Sequence, residues 1–203
     1  MALNYFICSM KSHHHYAVYK PYGVMSQFIS NSSFEQKKRF LGDLYDFPEG
    51  TMAVGRLDEK SEGLLLLTTD GQLSAYVTGH QLEKEYYVQV DGDISSRAID
   101  SMQRGVEIGF KGKKYKTKPC QVKKLEAPPS LPKREKKIRD DRHGPTSWIS
   151  VTIKEGKYRQ VRKMTAAVGF PTLRLVRVRI GQLQLEGMDV GAVRELSLDF
   201  FND

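Results

Sequence analysis

A chain of 203 residues and 23.1 kDa can bury one good core, or two small lobes that share one, and is too short for three independent domains. Its 39% hydrophobic and 28% charged residues are ordinary for a globular protein, and no apolar run approaches the roughly 20 residues of a membrane helix, which predicts a soluble chain with no membrane partner. Thirty-two Lys and Arg against 24 Asp and Glu leave a formal net charge of +8, which favours a polyanionic partner such as nucleic acid or an anionic surface.

The segment Met1 to Met10 carries Leu3, Tyr5, Phe6 and Ile7 but no basic stretch before them, so a secretory signal is not expected and the chain reads as cytoplasmic. Cys8 and Cys120 lie far apart without a metal-ligand spacing and are expected to be reduced thiols. His13-His14-His15 reads as part of a flexible, exposed extension over residues 1–15, because three adjacent histidines rarely converge on one ion.

From residue 16 the pattern is mixed. Tyr16 to Tyr19 predicts a strand stopped at Lys20-Pro21-Tyr22-Gly23, and Val24 to Phe28 resumes an extended pattern. Residues 30–50 read as loop with a short helix around Lys37 to Tyr45. Thr51 to Val54 leads into the loop Gly55-Arg56-Leu57-Asp58, and Gly63 to Thr68, with four consecutive leucines, reads as a buried strand closed by Asp70-Gly71. Gln72 to Thr78 follows as a short helix.

In the second half, Lys84 to Val90 has period two and sets Tyr86, Val88 and Val90 on one face. Ile94 to Gln103 reads as a helix before Gly105, and Val106 to Lys124 as strands around the turn from Gly109 to Gly112. Residues 127–146, rich in Pro, Lys and Arg, have no hydrophobic period and predict an exposed, mobile basic loop. Trp148 to Ile153 alternates as a strand. A helix from Tyr158 to Val168 ends at Gly169 and Pro171, and Val176, Val178 and Ile180 alternate with Arg177 and Arg179 as a strand with one apolar and one cationic face.

Two features carry chemistry. Asp58 lies two residues from Arg56 and just ahead of a leucine block too apolar for solvent, so its carboxylate is anchored at the rim of a rigid core. In the helix, Val161, Met164 and Val168 share one face while Arg159, Arg162 and Lys163 share the other, where their mutual repulsion is relieved by carboxylates or phosphates. Basic residues concentrate in Lys111 to Arg142 and Lys157 to Arg179, interleaved with Tyr115, Trp148 and Tyr158, as phosphate contacts beside stacking surfaces would require.

Arg56-Leu57-Asp58 with Gly63-Leu-Leu-Leu-Leu-Thr and Asp70-Gly71 resembles the signature of pseudouridine synthases, in the branch that contains the RsuA, RluB, RluE and RluF types. Lys20-Pro-Tyr-Gly-Val, Lys84-Glu-Tyr86-Tyr-Val and Glu155-Gly-Lys-Tyr-Arg159-Gln-Val-Arg162-Lys-Met resemble three further blocks of that family, in the same order. With Arg177-Val-Arg-Ile-Gly181, the likeness spans residues 16–198.

The resemblance implies an α+β fold with two lobes, roughly 16–81 and 82–200, around a continuous, mainly antiparallel sheet with a central cleft; residues 16–200 would form the catalytic domain. It implies isomerisation of uridine to pseudouridine in RNA, without cofactor or metal. Asp58 would be the nucleophile at ribose C1′ or uracil C6, Arg162 its charge partner, and Tyr86 the residue that stacks on the base and serves as general base. Arg56 would fill the space left by the flipped nucleotide. Leu57, Lys84, Arg159, Gln160, Val161 and Lys163, in the matching motifs, would contribute to substrate binding. Because the catalytic pattern begins by residue 16, the chain resembles the RluE-type subgroup without an S4 module. That points to large-subunit ribosomal RNA, 23S in kind, as substrate and a monomer as the working form. A non-catalytic RNA-binding assembly factor on the same fold is the alternative, and a carboxylate-dependent glycoside or nucleoside hydrolase would need a second acid that no motif supplies.

Overall fold

The computed structural model describes residues 13–32, 37–79, 82–139 and 141–197. In chain order the elements are β1 (His15–Lys20), β2 (Met52–Val54), β3 (Glu62–Thr68), α1 (Gly71–Gly79), β4 (Lys84–Asp91), α2 (Ser96–Arg104), β5 (Glu107–Phe110), β6 (Lys113–Lys116), β7 (Gln121–Lys124), β8 (Thr146–Ile153), α3 (Gln160–Ala167), β9 (Thr172–Ile180), β10 (Leu183–Gln184) and β11 (Val193–Glu195). Among these residues no helix is long and apolar enough to cross a membrane.

One sheet runs in the order β11-β1-β3-β9-β4-β8-β7, with β2 on β3 and β10 on β9, while β5 and β6 form a separate hairpin. Its leucine-rich strand shows why. Every residue of β3 is buried. Leu64 and Leu66 pack with Tyr19 and Val176 on one face, and Leu65 and Leu67 with Tyr16, Val18 and Leu41 on the other. A strand covered on both faces needs a continuous apolar run rather than alternation, and each buried leucine contributes about 2 kcal/mol. β4 alternates instead, burying Tyr86, Val88 and Val90 against Ile149, Val151 and Leu175.

The sheet is antiparallel except at one seam, where β3 meets β9 in parallel over Glu62↔Val176 and Gly63↔Arg177. Gly63 has φ +101°, and a Cβ built on it would stand 2.3 Å from the Arg177 carbonyl oxygen, so only glycine lets the two backbones approach. Beside it, Arg174 donates to the Glu62 carboxylate at 2.8 and 3.2 Å, with both side chains buried. Breaking such a buried pair from one side costs about 3–5 kcal/mol, which ties the seam together.

This is the expected α+β architecture with a continuous, mainly antiparallel sheet, but several local expectations are corrected. Across residues 16–81 and 82–197 the sheet is continuous: β11 returns to pair with β1, and Gly191 donates to the Tyr19 carbonyl. Val24 to Phe28 is not a strand: Val24 makes a single bridge with Arg39, and the Ser26 side chain is committed to Leu57. The helix expected over 37–45 shrinks to a 3-10 turn at Leu41–Asp43.

His15 is not part of an exposed tail; it lies buried in β1 with Nδ1 2.8 Å from Thr68 Oγ1. Residues 1–12 of the expected extension, Cys8 among them, fall outside the described residues, whereas the His14 amide donates to Thr69 Oγ1 at 2.9 Å. Cys120 is a thiol whose Sγ donates to the Met102 carbonyl at 3.3 Å. The basic loop has little regular structure yet is strapped to the body. Arg134 lies over the Tyr22 ring at 4.6 Å, Arg174 donates to the Pro132 carbonyl at 2.8 Å, and Leu131 packs on the core.

Candidate active site

β2 ends at Val54, and Gly55, at φ +70°, turns the chain into the Arg56-Leu57-Asp58 loop. That loop is held from two sides. Ser26 Oγ donates to the Leu57 carbonyl at 2.8 Å and accepts from the Leu57 amide at 3.1 Å. The Gly23 amide donates to the Glu59 carbonyl at 2.9 Å. Lys20, fully buried, donates to the carbonyls of Pro21 at 2.9 Å, Val24 at 2.6 Å and Glu59 at 3.4 Å. Burial pushes its ammonium down to about 7 against the pull of Glu62, Asp58 and Glu59. Leu57 then anchors the loop by packing with Tyr86, Val161 and Leu175.

Opposite this loop stands the start of α3. Glu155 is its hub, accepting from the Tyr115 hydroxyl at 2.5 Å, the Lys118 amide at 2.8 Å and the Gln160 side-chain amide at 2.6 Å. Burial works against its ionisation, but these donors overcome it and hold the carboxyl below its usual range. The Lys157 amide donates to Gln160 Oε1 at 2.9 Å, so the turn before the helix is fixed. Arg159, the residue preceding α3, is left-handed at φ 54°, an unfavourable conformation for a residue with a Cβ.

Asp58 Oδ2 lies 3.5 Å from Arg159 Nη1 and 3.8 Å from Arg162 Nε, and the side chains of Asp58 and Arg162 are 23% and 12% exposed. Both separations are longer than a tight charge-assisted hydrogen bond, and the carboxylate accepts no hydrogen bond among the described residues. Its oxygens are thus stabilised by charge yet left open to attack an electrophile. Arg162 is fixed by donating from Nη2 to the Lys60 carbonyl at 2.7 Å and to Ser61 Oγ at 3.2 Å. Burial and the neighbouring Arg159 pull its guanidinium below the usual range, and Asp58 opposes them.

These groups face a cleft of about 410 Å³, lined also by Arg56, Tyr86, Lys84 and Arg177. That volume lies in the range of small-ligand sites. Tyr86 is 8% exposed, and its hydroxyl has no hydrogen-bond partner among the described residues. Arg56 is exposed at the lip and, among the described residues, makes no ion pair with Asp58 or Glu59. Lys84 donates to the Leu82 carbonyl at 2.9 Å, and burial, with the charge of Arg177, pulls its ammonium down. Among the described residues no His, Cys, Asp and Glu side chains group as a metal site, and Glu62 is spent on Arg174.

Comparison with known proteins places the chain in a family. Residues 14–167 match the family model described as RNA pseudouridylate synthase. The chain is 44% identical over 177 residues to ribosomal large subunit pseudouridine synthase E of Xanthomonas campestris pv. campestris, covering 86% of this chain and 91% of that protein. It is 40% identical over 181 residues to the synthase E of Vibrio vulnificus, covering 88% of this chain and 73% of that one. Among solved structures, a crystal structure of a pseudouridylate synthase superposes with a TM-score of 0.71 at 28% identity, over 93% of this chain and 72% of the other. The chain therefore belongs to the RNA pseudouridylate synthase family.

Of the residues singled out in the sequence, the cleft gathers Arg56, Leu57, Asp58, Lys84, Tyr86, Arg159, Gln160, Val161 and Arg162. Gln160 and Val161 line it from below but are 3% and 5% exposed, the one held by Glu155 and Lys157 and the other by the core. Their part is to hold the helix start. Lys163 is not brought in; its ammonium donates to the Gly109 carbonyl at 2.7 Å and lies over the exposed Tyr158 ring. On the cationic face of β9, Arg177 is buried and Arg179 donates to Glu83 and Glu85. Sequence reasoning missed Ser26 and Glu155 as positioning groups and Arg177 as a cleft residue. Glu155 sat in a quoted motif, whereas nothing local to Ser26 marks its tie to Leu57.

Proposed function

We propose that this protein isomerises uridine to pseudouridine in large-subunit ribosomal RNA, acting as a single chain in the cytoplasm. The observation that carries the reading is the Asp58 carboxylate, flanked by two guanidiniums, free of hydrogen bonds among the described residues and facing the same cleft as Tyr86. The names of the related proteins support the ribosomal address.

In this reading the target uridine leaves its stack and enters the cleft, and Arg56 at the lip takes its place. Tyr86 stacks on the uracil, and its unpartnered hydroxyl moves the proton. Asp58 forms a bond to ribose C1′ or uracil C6, the C1′–N1 bond breaks, the ring turns, and C5 is joined to C1′ as the carboxylate leaves, C5 losing its proton and N1 gaining one. Arg159 and Arg162, 3.5 and 3.8 Å from the carboxylate, keep it in position. The product has the mass of the substrate, so no oxidant or energy source is consumed. The lobes at 16–81 and 82–200, with the C-terminal return to β1, would give the cleft its two walls. Exposed Lys118 and Lys154 extend its cationic rim toward flanking phosphates.

The test is a pseudouridine map of large-subunit ribosomal RNA from cells with and without the protein. At least one site is expected to vanish without the protein and to be restored by wild type but not by Asp58→Ala. Identical maps would leave only a non-catalytic RNA-binding role.

A further inference from the structure

Arg177 is the buried guanidinium in this cleft whose charge the protein does not answer. It is 4% exposed and lines the cleft. Its Nε donates to the Leu64 carbonyl at 2.7 Å, whereas Nη2 is buried with no partner and no carboxylate lies within ion-pair distance among the described residues. Its neighbours differ: Arg174 meets Glu62, Arg179 meets Glu83 and Glu85, and Arg159 and Arg162 meet Asp58. A buried charge with most of its five donors idle is costly unless something else supplies acceptors.

Position says what that is. Arg177 is the cross-strand partner of Tyr86 between β9 and β4, and directly opposed residues project to the same face of a sheet. A uracil stacked on Tyr86 therefore lies beside Arg177. The seam fixes it there, since Arg177 is held opposite Gly63 by the close approach of β3.

The chemistry supplies the missing acceptor. If Asp58 attacks C1′, a carboxylate oxygen bonds to C1′ and the C1′–N1 electron pair leaves with the ring, whose negative charge spreads over N1, O2 and O4. If it adds to C6, the C5=C6 pair moves toward C4 and the charge rests on O4 as an enolate. Either way an oxyanion develops on the ring. It disappears when C5 is bonded to C1′, the carboxylate is expelled, C5 gives up its proton and N1 gains one.

We propose that Arg177 is a catalytic residue that contacts the uracil ring and stabilises the negative charge developing on its carbonyl oxygens. The proposal rests on the uridine-isomerising reading above. A preorganised donor in a closed site acts on the transition state more than on the bound substrate, and removing one lowers the rate by about 10²–10³-fold.

The experiment measures single-turnover release of tritium from C5 of labelled large-subunit RNA transcript, with RNA affinity measured separately, for wild type and for Arg177→Met, Arg177→Gln and Arg177→Lys. The expected result is a rate about 10²–10³-fold lower in Arg177→Met and Arg177→Gln, RNA affinity within about threefold, and at least tenfold of the rate regained by Arg177→Lys. Affinity falling in step with rate, an unchanged rate, or failure of all three variants to fold would overturn it, the last by making Arg177 a structural residue. Wild type that releases no tritium would instead overturn the uridine-isomerising reading, and the proposal with it.

Discussion

Gly63 and Arg177 meet backbone to backbone: at φ +101° a Cβ on Gly63 would lie 2.3 Å from the Arg177 carbonyl oxygen and 2.7 Å from its amide nitrogen. This approach joins the two parts of the sheet and sets the height of Arg177 in the cleft. Gly63→Ala meets both a strained dihedral and a backbone clash, so it is expected to destabilise by about 2–3 kcal/mol or more and to lower activity beyond what stability alone explains. Denaturant unfolding and activity at a temperature where both forms are folded would check this. A variant within about 0.5 kcal/mol of wild type would mean that the seam opens without cost.

Arg159 couples strain to function. Its left-handed φ of 54° costs about 1–2 kcal/mol and aims the guanidinium at Asp58. Arg159→Gly is therefore expected to keep or slightly raise stability, by up to about 1 kcal/mol, while lowering the rate of pseudouridine formation. Reduced stability with full activity would reverse this assignment.

Lys20 gives a pH signature. The unfolded chain holds this proton up to the ordinary 10.5, whereas the folded protein releases it near 7. Between those values the unfolded state binds more protons, so the contribution of Lys20 to stability becomes more favourable as pH rises. Below pH 7 the cost of the buried ammonium is fully present. Urea unfolding of wild type and Lys20→Met at about pH 7 and about pH 10 should show wild type gaining relative to the variant at the higher pH. A constant difference would mean that the three carbonyls keep the ammonium charged.

The basic loop should act through its exposed lysines. Lys133, Lys136 and Lys137 are exposed, whereas Arg134 is partly buried over Tyr22 and donates to the Leu173 carbonyl. Replacing the three lysines with Ala is expected to weaken RNA binding and to reduce the slope of log affinity against log salt by about 1 for each phosphate no longer neutralised. A salt titration would decide it, an unchanged slope placing the phosphate-binding groups elsewhere.

What could be read in the chain was local or periodic. The four leucines of β3, the phase of Tyr86 in β4 and the Arg56-Leu57-Asp58 loop depend on neighbours within a few residues, and they stand as expected. What could not be read depends on residues far apart in sequence. Ser26 reaches Leu57 across 31 positions and Arg177 reaches Leu64 across 113, and neither tie has a local signal. Likewise, the partners of Arg174 and Arg179 in β9, Glu62, Glu83 and Glu85, come from distant parts of the chain. Arg159 and Lys163 show the limit of helical phase: the helix begins one residue after Arg159, and Lys163 turns to the β5–β6 hairpin.

The most direct test is of the Asp58 carboxylate itself. Purified wild type and Asp58→Asn, matched for fold by thermal unfolding, would be incubated with large-subunit RNA transcript, and the RNA digested and analysed for pseudouridine. Pseudouridine is expected at a defined site with wild type and none above background with Asp58→Asn, with RNA binding retained. Equal yields from the two proteins would contradict a nucleophilic role for Asp58.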